Sequence, residues 1–318
     1  MQKAILEKEF STLEFVQLEG YDFSFGKTRQ STFYKIIFQI PKMLIRIKGE
    51  NAWLRAFLQN NSIDAIISDN RYGFYSPKIP SVIITHQLSI RSNLGRWMDK
   101  LLQRFLYNRL NKFSVCWIPD FEGKNAIAGR LSNPSRKPGL PVIYLGAISR
   151  FIDCNNLVES IPLLILLSGP EPQRSIFEKK LLYELEINHL QAVMIRGLPI
   201  GEHPMKHVRG VTMYNHIAAT ELNQLICKAD IIISRSGYTT IMDGMKLRKK
   251  MILVPTPGQT EQEYLAASLH EKNFAFSVRQ NQFFLKDVLQ QANAFSYKHI
   301  DSAMNDYESV LQDFVETL

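Results

Sequence analysis

The stretch Ala229–Ala267, ADIIISRSGYTTIMDGMKLRKKMILVPTPGQTEQEYLAA, leaves this chain the fewest folds to choose from. Its run Ile231–Ser234, bounded by a charge on one side and Arg-Ser-Gly on the other, has the pattern of a strand covered on both faces. A tight turn follows, then a helix expected over about Tyr238–Leu247 and a second buried strand at Met251–Val254. A polar loop, Pro255–Thr260, then opens another helix. Strands alternating with helices in this way predict an α/β fold with a parallel, doubly wound sheet.

The turn Ser234-Arg235-Ser236-Gly237 falls where a strand's carboxyl end meets a helix amino terminus, the crevice in which open α/β sheets bind ligands. N–H groups without helical partners and the positive end of the helix dipole favour a phosphate or diphosphate there. Gly237 removes the Cβ that would block close approach, and Ser236 or Thr239 can cap the helix or bond a phosphate oxygen. Asp243, about one and a half turns further on, suits a ribose diol as hydrogen-bond acceptor. The same residues also read as a plain cap, Ser236 and Gly237, followed by a solvated carboxylate.

A similar unit lies upstream: strand Leu163–Leu167, loop Ser168-Gly169-Pro170-Glu171-Pro172-Gln173-Arg174, and a helix from Ser175. Gly169 marks a second anion site, and Arg174 is the residue there with the chemistry to clamp a phosphate. Strands are also expected at Ala192–Ile195, Val211–Met213 and Phe274–Val278, with helices near Leu285–Ala292 and Ile300–Phe314. In the first half, Leu13–Leu18 alternates as a strand after a helical tail over residues 2–10. Ile63–Ile67 and Ser81–Thr85 read as buried strands ending in Ser68-Asp69-Asn70 and in His86-Gln87. Both polar clusters should share one side of a sheet, so His86 and Asp69 are the candidates for a general base; each also reads as a cap on its own turn. Val115–Ile118 is the last strand of this half. The Pro-, Ser- and Gly-rich run Leu131–Pro141 then marks a linker, and the second domain opens at Ile143–Ile148. A boundary near Leu145 gives domains 1–145 and 146–318.

At 318 residues the chain is long enough for two separate cores. A net charge of +8 suits acidic partners, and the absence of any helix-turn-helix, RNP or zinc-finger pattern argues against nucleic acid. No apolar run approaches the ~20 residues of a membrane span. The start, MQKAILEKEF, lacks the apolar core of a secretory signal, so a cytoplasmic location is expected. Three cysteines without a CxxC pair predict neither a disulfide framework nor a zinc site. His203 and His207 have helical spacing, but Gly201 and Pro204 oppose a helix and no third ligand follows. Residues 33–58 and 96–112 place Lys42, Arg46, Lys48, Lys100 and Arg104 beside apolar stripes carrying Trp53 and Trp97. Such helices either pack on a core with a solvated face or lie on an anionic membrane.

The run RSGYTTIMD, followed after the next strand by VPTPGQTEQEYLA, resembles the carboxyl-terminal domain of family 28 glycosyltransferases, of the lipid II-forming N-acetylglucosaminyltransferase type. That resemblance implies a GT-B fold, two Rossmann-like domains with parallel sheets facing a cleft. It implies a donor site formed by Ser234, Arg235, Ser236, Gly237, Tyr238 and Thr239, with Gly169 and Arg174 in the Gly-rich donor loop. Asp243 stands at the position that holds the ribose, Ile217 where backbone reads the edge of uracil, and Gln262 and Glu263 where paired glutamines meet the donor sugar. Glu263 is a departure from that pair. Relatives open with a strand, a Gly-rich loop and a helix; here no glycine precedes Gly20 and no histidine precedes His86, so the amino-terminal domain is expected to be incomplete. The implied reaction moves a hexose or N-acetylhexosamine from a UDP-sugar to a hydroxyl of a saccharide or lipid-linked acceptor, with inversion. The acceptor's nature implies peripheral contact with the inner membrane face. No D-x-D occurs in the chain, so transfer without a metal or other cofactor is expected. A nucleotide-sugar hydrolase or epimerase and a non-catalytic nucleotide-sugar binding module are the alternatives.

Overall fold

The computed structural model describes residues 10, 12–18, 29–90, 95–152, 159–198, 205–208, 210–299 and 307–318. A long helix, α1 (Arg29–Asn60), leads into β1 (Ile66–Asp69) and β2 (Ser81–Ile84); α2 (Arg96–Leu110) then connects to β3 (Val115–Ile118) and β4 (Val142–Tyr144). These strands form one parallel sheet in the order β1-β2-β3-β4. The chain continues through β5 (Ile161–Leu166), α3 (Gln173–Ile187), β6 (Ala192–Ile195), β7 (Met205–Val208), β8 (Val211–Tyr214) and α4 (Ala219–Lys228). It then runs through β9 (Ala229–Ser234), α5 (Tyr238–Lys246), β10 (Lys250–Leu253), α6 (Thr260–Glu271), β11 (Phe276–Ser277), α7 (Leu285–Ala294) and α8 (Tyr307–Glu316). The second sheet has the order β11-β10-β9-β5-β6-β8-β7, parallel except for the antiparallel edge strand β7.

This order contains a switch. From β5 the chain builds outward through β6 and β8, then returns to lay β9 on β5's other side. The crevice between the carboxyl ends of β5 and β9 is where such a sheet takes a ligand. Leu166 pairs with Ser234 there, so the loops after Leu166 and after Ser234 are neighbours in space.

The isoleucine run of β9 follows from its position. Ile231 and Ile233 pack with Leu163, Ile165 and Phe177 on one face, while Ile232 packs with Leu164, Ile226 and Leu247 on the other. Burying each such side chain contributes roughly 1.5–3 kcal/mol. Gly197 is required for a different reason: at φ +65° its Cβ would stand 2.5 Å from the Leu167 carbonyl oxygen, and that close approach holds the loops after β5 and β6 together.

Several expectations are corrected. Residues 12–18 form no strand, and Leu13 and Val16 are exposed; no neighbouring strand pairs with them among the described residues. Leu131–Pro141 does not link the domains. Ile127, Ala128 and Leu131 are buried against Tyr238, Ile241 and Leu265 of the second domain, after which the chain returns to β4, placing Ile143 in the first sheet. Asp120 folds this excursion: its buried carboxylate accepts the N–H groups of Phe121, Ile127 and Ala128 at 2.7–2.9 Å. Cys227 is disulfide-bonded, whereas Cys116 is a free, buried thiol; an odd count still allows one pair. His207 lies in a strand, its Nδ1 3.1 Å from Thr212 Oγ1, while His203, residues 2–9 and residues 300–306 fall outside the described residues.

Helix α8 crosses back to the first sheet. Phe314 meets Trp117 edge to face at 5.2 Å, and Val310 and Leu311 pack beside Val82 and Leu145. Tyr264 Oη accepts the Arg130 N–H at 2.9 Å, and Lys272 Nζ donates to the Ala126 carbonyl at 2.7 Å. The two sheets are thus joined both beside the crevice and by the chain's end.

Candidate active site

The turn after β9 is short because α5 starts at Tyr238 with Gly237 as its N-cap. No side chain caps this helix, and nothing lies within 4 Å of where a Gly237 Cβ would stand. The first-turn amides therefore lack helical partners, and the Cβ side of Gly237 is open space. Thr239 is exposed on the same turn. Ser236 is buried, and its hydroxyl donates to the Gln262 carbonyl at 2.8 Å, which ties the turn to α6. Across the switch, Gly169 adopts φ +99° with open space around it, the left-handed geometry that favours glycine.

The arginines are placed otherwise than the sequence implies. Arg235 is buried with its guanidinium turned into the core, 4.3 Å over the Phe177 ring. It donates to the carbonyls of Val254, Pro255 and Gln173 at 3.1, 3.3 and 3.0 Å. Burial lowers its pKa to about 10. Arg174 is equally sequestered, donating to Glu171 and Ser175 at 2.7 Å and pairing with buried Glu178. Both cations shape the loops around the crevice, and neither offers a free fork to a phosphate. The Glu171, Arg174, Glu178 spacing, i−3 and i+4, was the sequence signal for this.

Asp243 is half-buried, and its Oδ1 accepts the Ser149 hydroxyl at 2.7 Å. Burial raises its pKa above the ordinary aspartate value, against the Ser149 bond and the Arg150 charge. Gln262 Oε1 accepts the Thr256 N–H at 2.9 Å and Glu263 Oε1 the Gly258 N–H at 3.1 Å, so this pair braces the loop ahead of α6. Glu263 also lines a cavity of about 1090 Å³ with Lys180, His270 and Arg279. Ile217 precedes α4, its side chain packed on the cluster around Ile226. Beneath the turn, Ser234 Oγ and Thr256 Oγ1 are buried with no hydrogen-bond partner.

From the first domain, His86 reaches this turn. Its ring stacks on that of Tyr238 at 4.2 Å and 8°, and its Nε2 lies 2.7 Å from Glu261 Oε1. Tyr238 is fixed in turn by a 2.8 Å bond from its hydroxyl to the Pro119 carbonyl, and burial holds that hydroxyl well above its ordinary pKa. Asp69 is exposed at the end of β1 and accepts a hydrogen bond from Asn70, so the carboxylate on His86 is Glu261 rather than Asp69. Sequence reasoning missed Glu261. Its only trace was an acidic residue in the first turn of a helix, beside the expected Gln262 and Glu263.

Residues 179–316 match the glycosyltransferase family 28 C-terminal domain. The fold superposes on the crystal structure of Acinetobacter baumannii MurG with a TM-score of 0.55 at 12% identity, covering 100% of this chain and 88% of that one. The chain is family 28-like, with the GT-B fold. The glycotransferase of kitacinnamycin has the same fold, with a TM-score of 0.55 and 14% identity over 81% of this chain and 73% of its own. In sequence, the family 28-like chain is 26% identical over 163 residues to a UDP-N-acetylglucosamine–N-acetylmuramyl-(pentapeptide) pyrophosphoryl-undecaprenol N-acetylglucosamine transferase of Lachnoclostridium phytofermentans. That match takes in 49% of this chain and 45% of the relative, so it spans less than half of the relative's length. A Prochlorococcus marinus protein of the same name is 31% identical over 136 residues, 41% of this chain and 36% of its own.

Proposed function

We infer that this chain transfers a hexose or N-acetylhexosamine from a UDP-sugar to an acceptor hydroxyl, with inversion and without a metal. One observation carries the reading: a first-domain histidine lies on the first residue of α5, against the amide-lined turn at the sheet's switch point. In this mechanism the diphosphate binds the α5 amino terminus at Gly237, Tyr238 and Thr239, where the helix dipole and free amides stabilise the charge of departing UDP. The free oxygen of Asp243 takes the ribose, backbone at Ile217 takes the uracil edge, and Gln262 and Glu263 border the sugar. His86 removes the acceptor proton as that oxygen attacks the anomeric carbon. Each well-aimed donor on the leaving group contributes about 3 kcal/mol to the transition state.

The scheme uses no metal: the chain has no D-x-D, and the α5 amino terminus takes up the charge of the departing diphosphate. The relatives' names point to a UDP-N-acetylglucosamine donor and a lipid-linked acceptor. A lipid-linked acceptor fits the exposed start of α2, where Trp97 is 73% and Leu101 51% exposed beside Lys100 and Arg104. No helix among the described residues is long and apolar enough to cross a membrane, so the contact proposed is peripheral, at the cytoplasmic face. The hydrolase, epimerase and binding-module readings are not favoured.

Calorimetric titration with UDP, with and without EDTA, tests the donor half. Equal binding in both conditions is expected; no binding, or binding only with metal, overturns the scheme.

A further inference from the structure

The geometry points to Glu261 as the positioning residue of the base: the donor-side domain supplies the carboxylate that fixes the tautomer of His86 across the cleft. This rests on the reading of His86 as the base. His86 sits two residues beyond β2, whereas Glu261 lies in the first turn of α6, 175 positions away in sequence. Their 2.7 Å contact joins Nε2 to Oε1, and stacking on Tyr238 fixes the ring plane. A carboxylate only accepts, so the nitrogen facing it carries the proton in the neutral ring. Nδ1 then holds the lone pair, and no hydrogen bond occupies it among the described residues. The side chain is 20% exposed, which leaves one edge open to a substrate.

The acceptor O–H proton passes to Nδ1 as the acceptor oxygen bonds to the anomeric carbon. The bond from that carbon to the diphosphate oxygen breaks, and its electron pair leaves with UDP. Glu261 stabilises the resulting imidazolium, which later gives its proton to water. Because His86 and Glu261 belong to opposite domains, the base is complete only while the domains are docked. The buried side chains of Ile127, Ala128 and Leu131 and helix α8 maintain that docking.

Two measurements on the full chain test this. First, ¹⁵N NMR of histidine-labelled protein, with His86→Gln to assign its signal among the seven histidines, reads the tautomer. The wild type should show the Nε2–H form, and Glu261→Ala, which offers no acceptor, should lose it. Second, transfer is followed with UDP-N-acetylglucosamine and N-acetylmuramyl-(pentapeptide) pyrophosphoryl-undecaprenol as probes. Glu261→Gln should lower kcat about 100-fold, with KM for the donor within about twofold, and Glu261→Asp should recover part of the loss. A mere latch between domains would instead raise KM together with any fall in kcat. An Nδ1–H tautomer in the wild type, or an unchanged kcat in Glu261→Gln, overturns the assignment. If the wild type binds UDP but transfers nothing to this acceptor, this choice of donor and acceptor fails, and the tautomer alone upholds or overturns the pairing of His86 with Glu261. Unchanged circular dichroism shows that the variants are folded, as expected for a side chain 34% exposed.

Discussion

Asp243→Asn changes one oxygen of a half-buried carboxylate and leaves the helix around it intact. One oxygen already accepts the Ser149 hydroxyl at 2.7 Å, a bond that an amide oxygen also accepts. The other oxygen remains for a ribose hydroxyl, and in the variant it becomes an NH₂, which cannot accept. A hydrogen bond to a charged group contributes about 1.5–3 kcal/mol, so UDP affinity should fall roughly 10- to 150-fold. Stability should move the other way. Burial raises the Asp243 carboxyl above its ordinary value of 3.8, so folded protein keeps this proton longer than unfolded protein does. Such a group weakens the fold as pH rises from the unfolded value through the folded one. Asparagine has no such penalty, so the variant should match or exceed wild-type stability at pH 7, with the difference gone below both values. Calorimetry with UDP and urea unfolding at pH 7 and at about pH 3 read the two effects. Unchanged UDP binding, or a stability loss above about 1 kcal/mol at pH 7, would refute this reasoning and make Asp243 a strut between α5 and Ser149.

Arg174→Gln should leave UDP affinity within about twofold and cost about 1–3 kcal/mol in urea unfolding, because it removes one of the two cations on the buried Glu178 and leaves Arg196 as the other. Weaker UDP binding without that loss would restore Arg174 as a phosphate clamp. Thr256→Val should change stability by less than about 1 kcal/mol, since the hydroxyl it removes has no partner. A larger loss would reveal a bond that the structure lacks. Burial pushes the Cys116 thiol up to about 12, so native protein should resist iodoacetamide at pH 7–9 and react once unfolded, read by peptide mass mapping. Fast native labelling would contradict the packing of β3. Trp97→Ser with Leu101→Ser should weaken binding to anionic vesicles at least tenfold without changing UDP affinity, and unaltered vesicle binding would exclude α2 as the contact.

The β9–α5–β10 unit was legible because a strand covered on both faces must be apolar throughout, and the Ile231–Ile233 run left little choice. The turn at Gly237 was legible for the same local reason: strand end, small residues, helix start. Arg235 and Arg174 misled because sequence shows a charge but not the carbonyls or carboxylates that fold back onto it. Composition identified Leu131–Pro141 as irregular, yet nothing in it told that Ile127 and Leu131 would enter another domain's core. Glu261 was invisible because its partner lies 175 residues away, a contact made only when two domains meet.

The most direct test is a crystal structure of the chain with UDP-N-acetylglucosamine. The diphosphate should lie within hydrogen-bond distance of the Gly237–Thr239 amides, with the anomeric carbon on the side facing His86. Density for the nucleotide elsewhere, such as the cavity beside Lys180 and Arg279, or an empty turn at saturating ligand, would contradict it.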